Sequence, residues 1–223
     1  MKRLFIIPGM YSGRSCTFDQ LSPTLALPRR NHLVCGMRPQ PPTNYLASYP
    51  ADLTEKIRRM IEQGSLAGWL LSKYPDSHKV RTDKALYDYV VQLKDMYLRN
   101  AGPLNKVAFD SRLHVTSNAL GMHTSKSQVH GSKLKAKREI HVAAIFRDMP
   151  PEFLRMIVVH ELAHIKESEH NKSFYKLCCN MEPNYYQLEF DLRAYLTWLE
   201  SGGKPLWSPN QPTHHACNPP FKA

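Results

Sequence analysis

Two histidines four residues apart constrain the fold of this 223-residue chain more than any other feature. The motif His160-Glu161-Leu162-Ala163-His164 directly follows the mainly apolar run Phe153–Val159. Side chains four residues apart on an α-helix lie on one face, so both imidazoles can reach the same metal ion. Glu161 stands beside the first histidine and can hold a water bound to that ion. The motif therefore predicts a buried helix that carries a metal site.

A third histidine, His170, lies six residues after His164. A straight helix would place it on the opposite face, so the chain must turn back between the two. No glycine occurs in this interval, so we expect the turn at Glu167, Ser168 or Glu169. Three neutral imidazoles and a water form the open tetrahedral site of catalytic zinc. The spacing predicts one Zn²⁺ per chain on the three histidines, although the bare motif is also compatible with paired histidines that bind no metal.

The rest of the chain combines helical and extended patterns. Apolar residues at helical spacing predict helices within residues 52–64, 82–102, 173–181 and 183–200. Alternating patterns predict three strands, of which the first two form a hairpin: Lys106–Phe109, Arg112–Thr116 and Glu139–Phe146. Residues 117–138 are expected to connect the second strand to the third, with turns at Gly121 and Gly131. The predicted class is α+β, with a small antiparallel or mixed sheet packed on helices that include the motif helix.

Composition divides the chain into three parts. Residues 1–50 contain seven of the seventeen prolines and six basic residues against one acidic residue, which predicts a poorly ordered extension. This extension is either an organelle transit segment or, as we favour, a dispensable segment with Met37 as the natural start. Residues 51–200 are predicted to form the metallohydrolase domain. Residues 201–223 are predicted to form a proline-rich tail.

The cysteines and the apolar runs indicate the compartment. The chain has five cysteines, an odd number, and no pair in a C-x-x-C spacing. Reduced thiols in a cytoplasmic protein are therefore expected. No apolar run approaches the length of about 20 residues that a membrane helix requires, so no membrane partner is expected.

The segment Val158–Tyr175, VVHELAHIKESEHNKSFY, resembles the YgjP-like metallopeptidase family and, more distantly, the SprT-like and WLM zinc proteases. The resemblance extends over roughly residues 75–200. It implies a minimal zincin-like metallopeptidase fold. It also implies that His160, His164 and His170 are zinc ligands and that Glu161 is the catalytic base.

The predicted reaction is hydrolysis by a metal-activated water, with Glu161 as general base. The strand Glu139–Phe146 precedes the motif helix, and we expect it to offer an edge on which an extended peptide can pair. Some polar rings could contact the substrate or its developing oxyanion, although each also has a structural interpretation. These candidates are Tyr175, Tyr185, Tyr186 and His123.

Three functions are compatible with these residues. The first is a zinc-dependent peptidase acting on a peptide or protein. The second is a metal-dependent hydrolase of a non-peptide substrate such as a nucleotide phosphoanhydride. The third is a nucleic-acid-recruited protease, because a basic block precedes the last strand and could attract nucleic acid or polyphosphate. A solvated hairpin without a partner would explain the same block, which consists of Lys126, Lys133, Lys135, Lys137 and Arg138.

Overall fold

The computed structural model describes residues 44–113, 121–130 and 133–208, with the backbone alone at 121–130 and 133–137. The predicted extension up to residue 43 and the tail from residue 209 lie outside these residues. The described helices are α1 (Ala51–Glu62), α2 (Leu66–Lys73), α3 (Asp83–Tyr97), α4 (Pro151–Ala163), α5 (Lys172–Met181) and α6 (Tyr185–Glu200). The strands are β1 (Lys106–Asp110), β2 (Gly121–His130) and β3 (Lys133–Ala143). The predicted α+β class is confirmed.

Local signals set the ends of several helices. The Thr82 hydroxyl accepts a hydrogen bond from the Ala85 N–H at the start of α3. The Asn171 side chain accepts one from the Phe174 N–H at the start of α5. Gly64 has a φ of 68° after α1, a conformation that glycine adopts without steric cost. These caps satisfy backbone groups that have no partner within the helix.

Helix α4 lies at the centre of the core. Nine of its thirteen residues are buried, as expected for a helix with apolar residues on all faces. It packs against α3, α5 and α6 and against strands β2 and β3. Although α4 is largely apolar, none of the helices that the structure describes is both long and apolar enough to cross a membrane.

The sheet has the strand order β1-β3-β2. Strand β1 runs parallel to β3, with Lys106 opposite Glu139 and Phe109 opposite Val142. Strand β2 runs antiparallel to β3, with Gly121 opposite Val142. Residues 139–142 therefore have hydrogen-bonded neighbours on both sides. The prediction that this part of the strand is an open edge for a peptide is wrong, because a central strand has no unpaired side.

The predicted hairpin between Lys106–Phe109 and Arg112–Thr116 is also wrong over its described residues. Strand β1 pairs with β3, which follows some 30 residues later, and Arg112 and Leu113 are not in a strand. The Asp110 carboxylate accepts hydrogen bonds from the backbone and side chain of Arg112, which folds the chain into a turn after β1.

The segment expected to be a connection instead forms β2 and the first half of β3. Their register runs from Gly121 opposite Val142 to His130 opposite Lys133. Apolar alternation is absent from this segment, so its sequence carries no strand pattern. The other end of the predicted third strand also differs, because Ala144–Asp148 forms a short 3₁₀ helix that leads into α4.

The core extends beyond the predicted domain 51–200 at both ends. Tyr45 and Leu46 are buried before α1. Trp207 is buried after α6, and its indole N–H donates to the backbone carbonyl of Tyr74 over 2.7 Å. The start of the predicted tail is therefore part of the packed structure.

Candidate metal centre

The structure brings the three predicted histidines together at the end of α4. The Nε2 atom of His160 lies 3.3 Å from that of His164 and 3.1 Å from that of His170. One nitrogen of each ring lies within 4.8 Å of those of the other two. For metal–nitrogen bonds of 2.0–2.1 Å in a tetrahedron, the nitrogens stand about 3.3 Å apart. The distances from His160 to the other two nitrogens therefore fit the edges of a tetrahedral site.

The chain turns between His164 and His170 without a glycine. Helix α4 ends at Ala163 with His164 as its C-cap, and the backbone bends at Ser168 and Glu169, two of the three residues at which the turn was predicted. The Ala163 carbonyl accepts from the N–H groups of both Lys166 and Glu167, which closes the final turn. Helix α5 begins directly after Asn171, so His170 lies at the corner between the two helices.

Hydrogen bonds fix how two of the rings present their nitrogens. His164 Nδ1 lies 2.9 Å from the Glu167 carbonyl oxygen, which can only accept, so Nδ1 carries the proton and Nε2 the lone pair. His160 Nδ1 lies 2.7 Å from the Tyr185 hydroxyl, which can accept from it in the same way. Partners of this kind orient imidazole ligands in metal sites.

One aromatic ring packs against all three imidazoles. The Phe174 ring is completely buried, and its centroid lies 4.5 Å from that of His164, 4.7 Å from His170 and 5.0 Å from His160. Its position follows from the Asn171 cap, which starts α5 three residues earlier. The apolar ring limits the movement of the imidazoles and keeps water from one side of the cluster.

Burial favours the neutral imidazoles that metals bind. It lowers the pKa of His160 well below its usual value, and the rings of His164 and His170 lower it further. Burial also lowers the pKa of His170, while the carboxylates of Glu189 and Glu169 oppose this effect. Because metal ligands must be deprotonated, these shifts suit a metal site.

Glu161 lies beside the histidines with only 1% of its surface exposed. Burial raises the pKa of its carboxyl group to about 8. Its Oε2 atom is buried and has no hydrogen-bond partner among the described residues. A buried polar atom of this kind is rare in native structures and requires an explanation. Three imidazole nitrogens with such a carboxylate beside them form a donor set that fits a catalytic divalent metal and its water.

The other predicted contact residues fall in different places. Tyr175 is half-buried, and its ring centroid lies 6.3 Å from that of His170. Tyr186 is exposed and stacks on Tyr175, with centroids 5.6 Å apart. His123 lies on β2, and its side chain is outside the described atoms, so its role stays a prediction. Tyr185 is completely buried against His160, where it can orient the ring but not reach solvent.

Sequence reasoning missed two further features beside the cluster. It considered the Tyr185 hydroxyl as an oxyanion donor or as a structural group and did not anticipate its contact with His160. It also missed the ion pair between Arg193 and Glu189, with an N–O distance of 2.7 Å. The i,i+4 spacing of this pair on a helix was the available signal. No spacing rule links residue 185 to residue 160, since the contact depends on how α6 packs on α4.

Comparisons with known proteins agree with this geometry. The family model described as "YgjP-like, metallopeptidase domain" matches residues 68–195. The chain is similar to a protein of Escherichia coli (strain K12) named UTP pyrophosphatase, with 56% identity over 158 residues, which cover 71% of this chain and 95% of the relative. No solved structure matches the chain. This chain therefore belongs to the YgjP-like metallopeptidase family and is a metal-dependent hydrolase.

Proposed function

We propose that this protein hydrolyses a phosphoanhydride bond of a nucleoside triphosphate and releases pyrophosphate. Three imidazole nitrogens converge in the same segment as Glu161, whose buried Oε2 atom has no hydrogen-bond partner among the described residues, and this observation carries the proposal. The choice of substrate is supported by the relative named UTP pyrophosphatase, which aligns with 71% of this chain. Nucleotide phosphoanhydride hydrolysis is also one of the functions that the sequence left open.

In this proposal His160, His164 and His170 hold one Zn²⁺ through Nε2. The Nε2 spacing of 3.1 and 3.3 Å supports the assignment, and the nitrogen donors suit zinc among the divalent metals. When bound, the ion supplies Lewis-acid stabilisation of charge on the phosphoryl oxygens and acidifies water. Glu167 and Tyr185 orient two of the rings through their Nδ1 atoms.

Glu161 acts as the general base. Its carboxylate takes a proton from the water that attacks the α-phosphorus. The bond between that phosphorus and the bridging oxygen breaks, and the electron pair leaves with pyrophosphate. The proton on Glu161 then returns to solvent or to the leaving oxygen, so that the products are a nucleoside monophosphate and pyrophosphate. Tyr175 lies beside His170 and is the described side chain that we assign to contact with the reacting phosphates.

The test measures pyrophosphate release from UTP together with metal content. The wild-type protein loaded with zinc is expected to release pyrophosphate. Glu161→Gln should abolish the release and keep one zinc per chain, whereas His164→Ala should lose both. Glu152→Gln serves as a matched control, because Glu152 is an exposed glutamate in the first turn of the same helix.

Two results would contradict the proposal. One is equal pyrophosphate release by Glu161→Gln and Glu152→Gln at equal zinc content. The other is a wild-type protein that cleaves casein but releases no pyrophosphate from UTP, which would favour a peptidase instead.

The peptidase remains the second candidate because the family model is described as a metallopeptidase domain. The same water, base and ligands would serve a peptide carbonyl. Against it stands the pairing of Glu139–Val142 on both sides, which removes the predicted site of peptide addition. Casein cleavage that disappears in Glu161→Gln would support this candidate.

The basic block is a candidate for contact with phosphate groups. The register places Lys126 opposite Lys137 and Gln128 opposite Lys135. A basic block of this kind can attract a polyanion. If the block contacts polyphosphate or nucleic acid, binding will weaken as salt rises, and alanine at Lys133, Lys135 and Lys137 will weaken it further. A hairpin without a partner would show neither effect.

A further inference from the structure

A cavity of about 500 Å³ lies between α1, α2 and α6. This volume falls within the range of about 300–1,000 Å³ that is typical of small-molecule sites. Its walls are aromatic and aliphatic with few polar groups, another property of such sites. The residues used below are Tyr49, Leu53, Lys56, Trp69, Tyr186 and Gln187.

Contacts between aromatic rings lead from the cavity wall to the histidines. Tyr186, on its wall, stacks on Tyr175 with centroids 5.6 Å apart and an interplanar angle of 26°. Tyr175 in turn lies 6.3 Å from the ring of His170. On a second wall, Tyr49 lies near Arg193, whose side chain is paired with Glu189. One ring, that of Tyr175, therefore stands between the cavity wall and His170.

Apolar surface is exposed at this place. Tyr186 is 56% exposed and Leu53 is 37% exposed, and both line the cavity. Among the described residues the other large hydrophobic side chain with comparable exposure is Met96 on α3, which does not line it. Exposed aromatic surface around a cavity costs free energy unless a ligand covers it, so it indicates a binding site.

Two polar groups accompany the aromatic walls. Gln187 lines the cavity, and its NH₂ donates to the Asp191 carboxylate over 2.8 Å, which fixes the amide and leaves the Oε1 atom as its acceptor. Lys56 is exposed and forms no ion pair within the described part of the chain. A fixed carbonyl oxygen selects a ligand with an N–H donor, and an unpaired ammonium group attracts an anion.

From these observations we propose that the cavity binds the nucleobase of the substrate. The base stacks on Tyr186, and Gln187 Oε1 accepts from an imide N–H such as that of uracil. Cytosine has no N–H at that ring position, so uracil is preferred. The phosphates then extend past Tyr175 to the histidine cluster. This inference rests on the proposed nucleotide hydrolysis, to which it adds the part of the molecule that recognises the base.

The main test compares ligands with and without a base on the zinc-loaded full chain. Base stacking on an aromatic ring contributes about 1–3 kcal/mol, so Tyr186→Ala should raise the Kd for UMP by about 5- to 150-fold. The Kd for ribose 5-phosphate, which has no base, should stay unchanged. Tyr186→Phe keeps the ring and should retain UMP binding. Met96→Ala removes an equally exposed side chain elsewhere and should alter neither ligand.

The test of base selection uses Gln187→Met, which keeps the size of the side chain and removes the acceptor. The ratio of kcat/KM for UTP over CTP should fall towards one, a change that a purely structural role would not produce. Equal UMP affinity in wild type and Tyr186→Ala, or absence of UMP binding to wild type, would overturn the inference. A third outcome separates the two proposals. If wild type binds UMP and Tyr186→Ala does not, but wild type releases no pyrophosphate, the proposed function is contradicted and the base site is supported.

Discussion

The contact between Tyr185 and His160 leads to a prediction about metal affinity. Tyr185→Phe removes a completely buried hydroxyl that lies 2.7 Å from His160 Nδ1. In the metal-free protein, the imidazole can move its proton to Nε2, where the nitrogens of His164 and His170 lie at 3.3 and 3.1 Å. A metal on Nε2 forces the proton back to Nδ1, which then has no acceptor. Tyr185→Phe therefore destabilises the metal-bound protein more than the metal-free protein.

The magnitude follows from the energy of one unsatisfied buried donor. Leaving such a group without a partner costs about 1–3 kcal/mol. Loss of the outer partner of a histidine ligand typically lowers metal affinity by about 10- to 100-fold, which corresponds to about 1.4–2.8 kcal/mol. We therefore expect Tyr185→Phe to raise the Kd for zinc by about 10- to 100-fold. The free energy of unfolding of the metal-free protein should fall by much less than the corresponding loss of about 1.4–2.8 kcal/mol in zinc binding.

The assay is competition for zinc with a chromogenic chelator, together with urea unfolding of the chelated protein. Tyr195→Phe is the matched control, since Tyr195 is also buried and its hydroxyl accepts from the Leu206 N–H, away from the histidines. Its zinc affinity should equal that of wild type. The reasoning is refuted if both variants bind zinc equally well, or if Tyr185→Phe loses stability without loss of affinity.

Three further predictions concern stability. Phe174→Ala leaves a cavity against all three imidazoles, and the free energy of unfolding in urea should fall by about 3–5 kcal/mol; a smaller loss than that of an exposed control would contradict this packing role. Asn171→Ala removes the cap of α5 and should cost about 1 kcal/mol in the same assay, whereas Asn171→Ser should cost less. Trp207→Phe keeps a ring but leaves the Tyr74 carbonyl without its donor, so thermal unfolding should show a loss of about 1–3 kcal/mol; an unchanged midpoint would show that the start of the tail is not part of the cooperative unit.

Features encoded by neighbours in the chain could be predicted from the sequence. Thr82 and Asn171 cap helices because their side chains reach N–H groups three residues ahead, and such signals are local. The pair His160 and His164 follows from helical periodicity alone. His170 was predicted as a partner, and the chain bends at Ser168 and Glu169, within the predicted turn, before the Asn171 cap starts α5.

Features that depend on distant segments could not be predicted. The strand that pairs with β1 lies some 30 residues later. A hairpin between β1 and the segment that starts at Arg112 needs a much shorter loop, so it was the simpler interpretation. Strand β2 lacks apolar alternation, since its pairing with β3 needs only backbone groups. The cavity beside Tyr186 is lined by α1, α2 and α6, and no periodicity within one helix reveals a space between three of them. Trp207 lies in a proline-rich context that resembles a loose tail.

The position of the three histidines within a single short segment has a consequence for how the protein handles its metal. His160 and His170 are only ten residues apart, so an ion that joins them closes a small loop. The chain entropy that such a cross-link removes grows with the logarithm of loop length and is therefore modest. Contacts between distant segments of the chain, such as the parallel pairing of β1 with β3, do not involve the ion. A metal ion held by these histidines would therefore stabilise mainly the corner between α4 and α5, and the pairing of β1 with β3 would not depend on it.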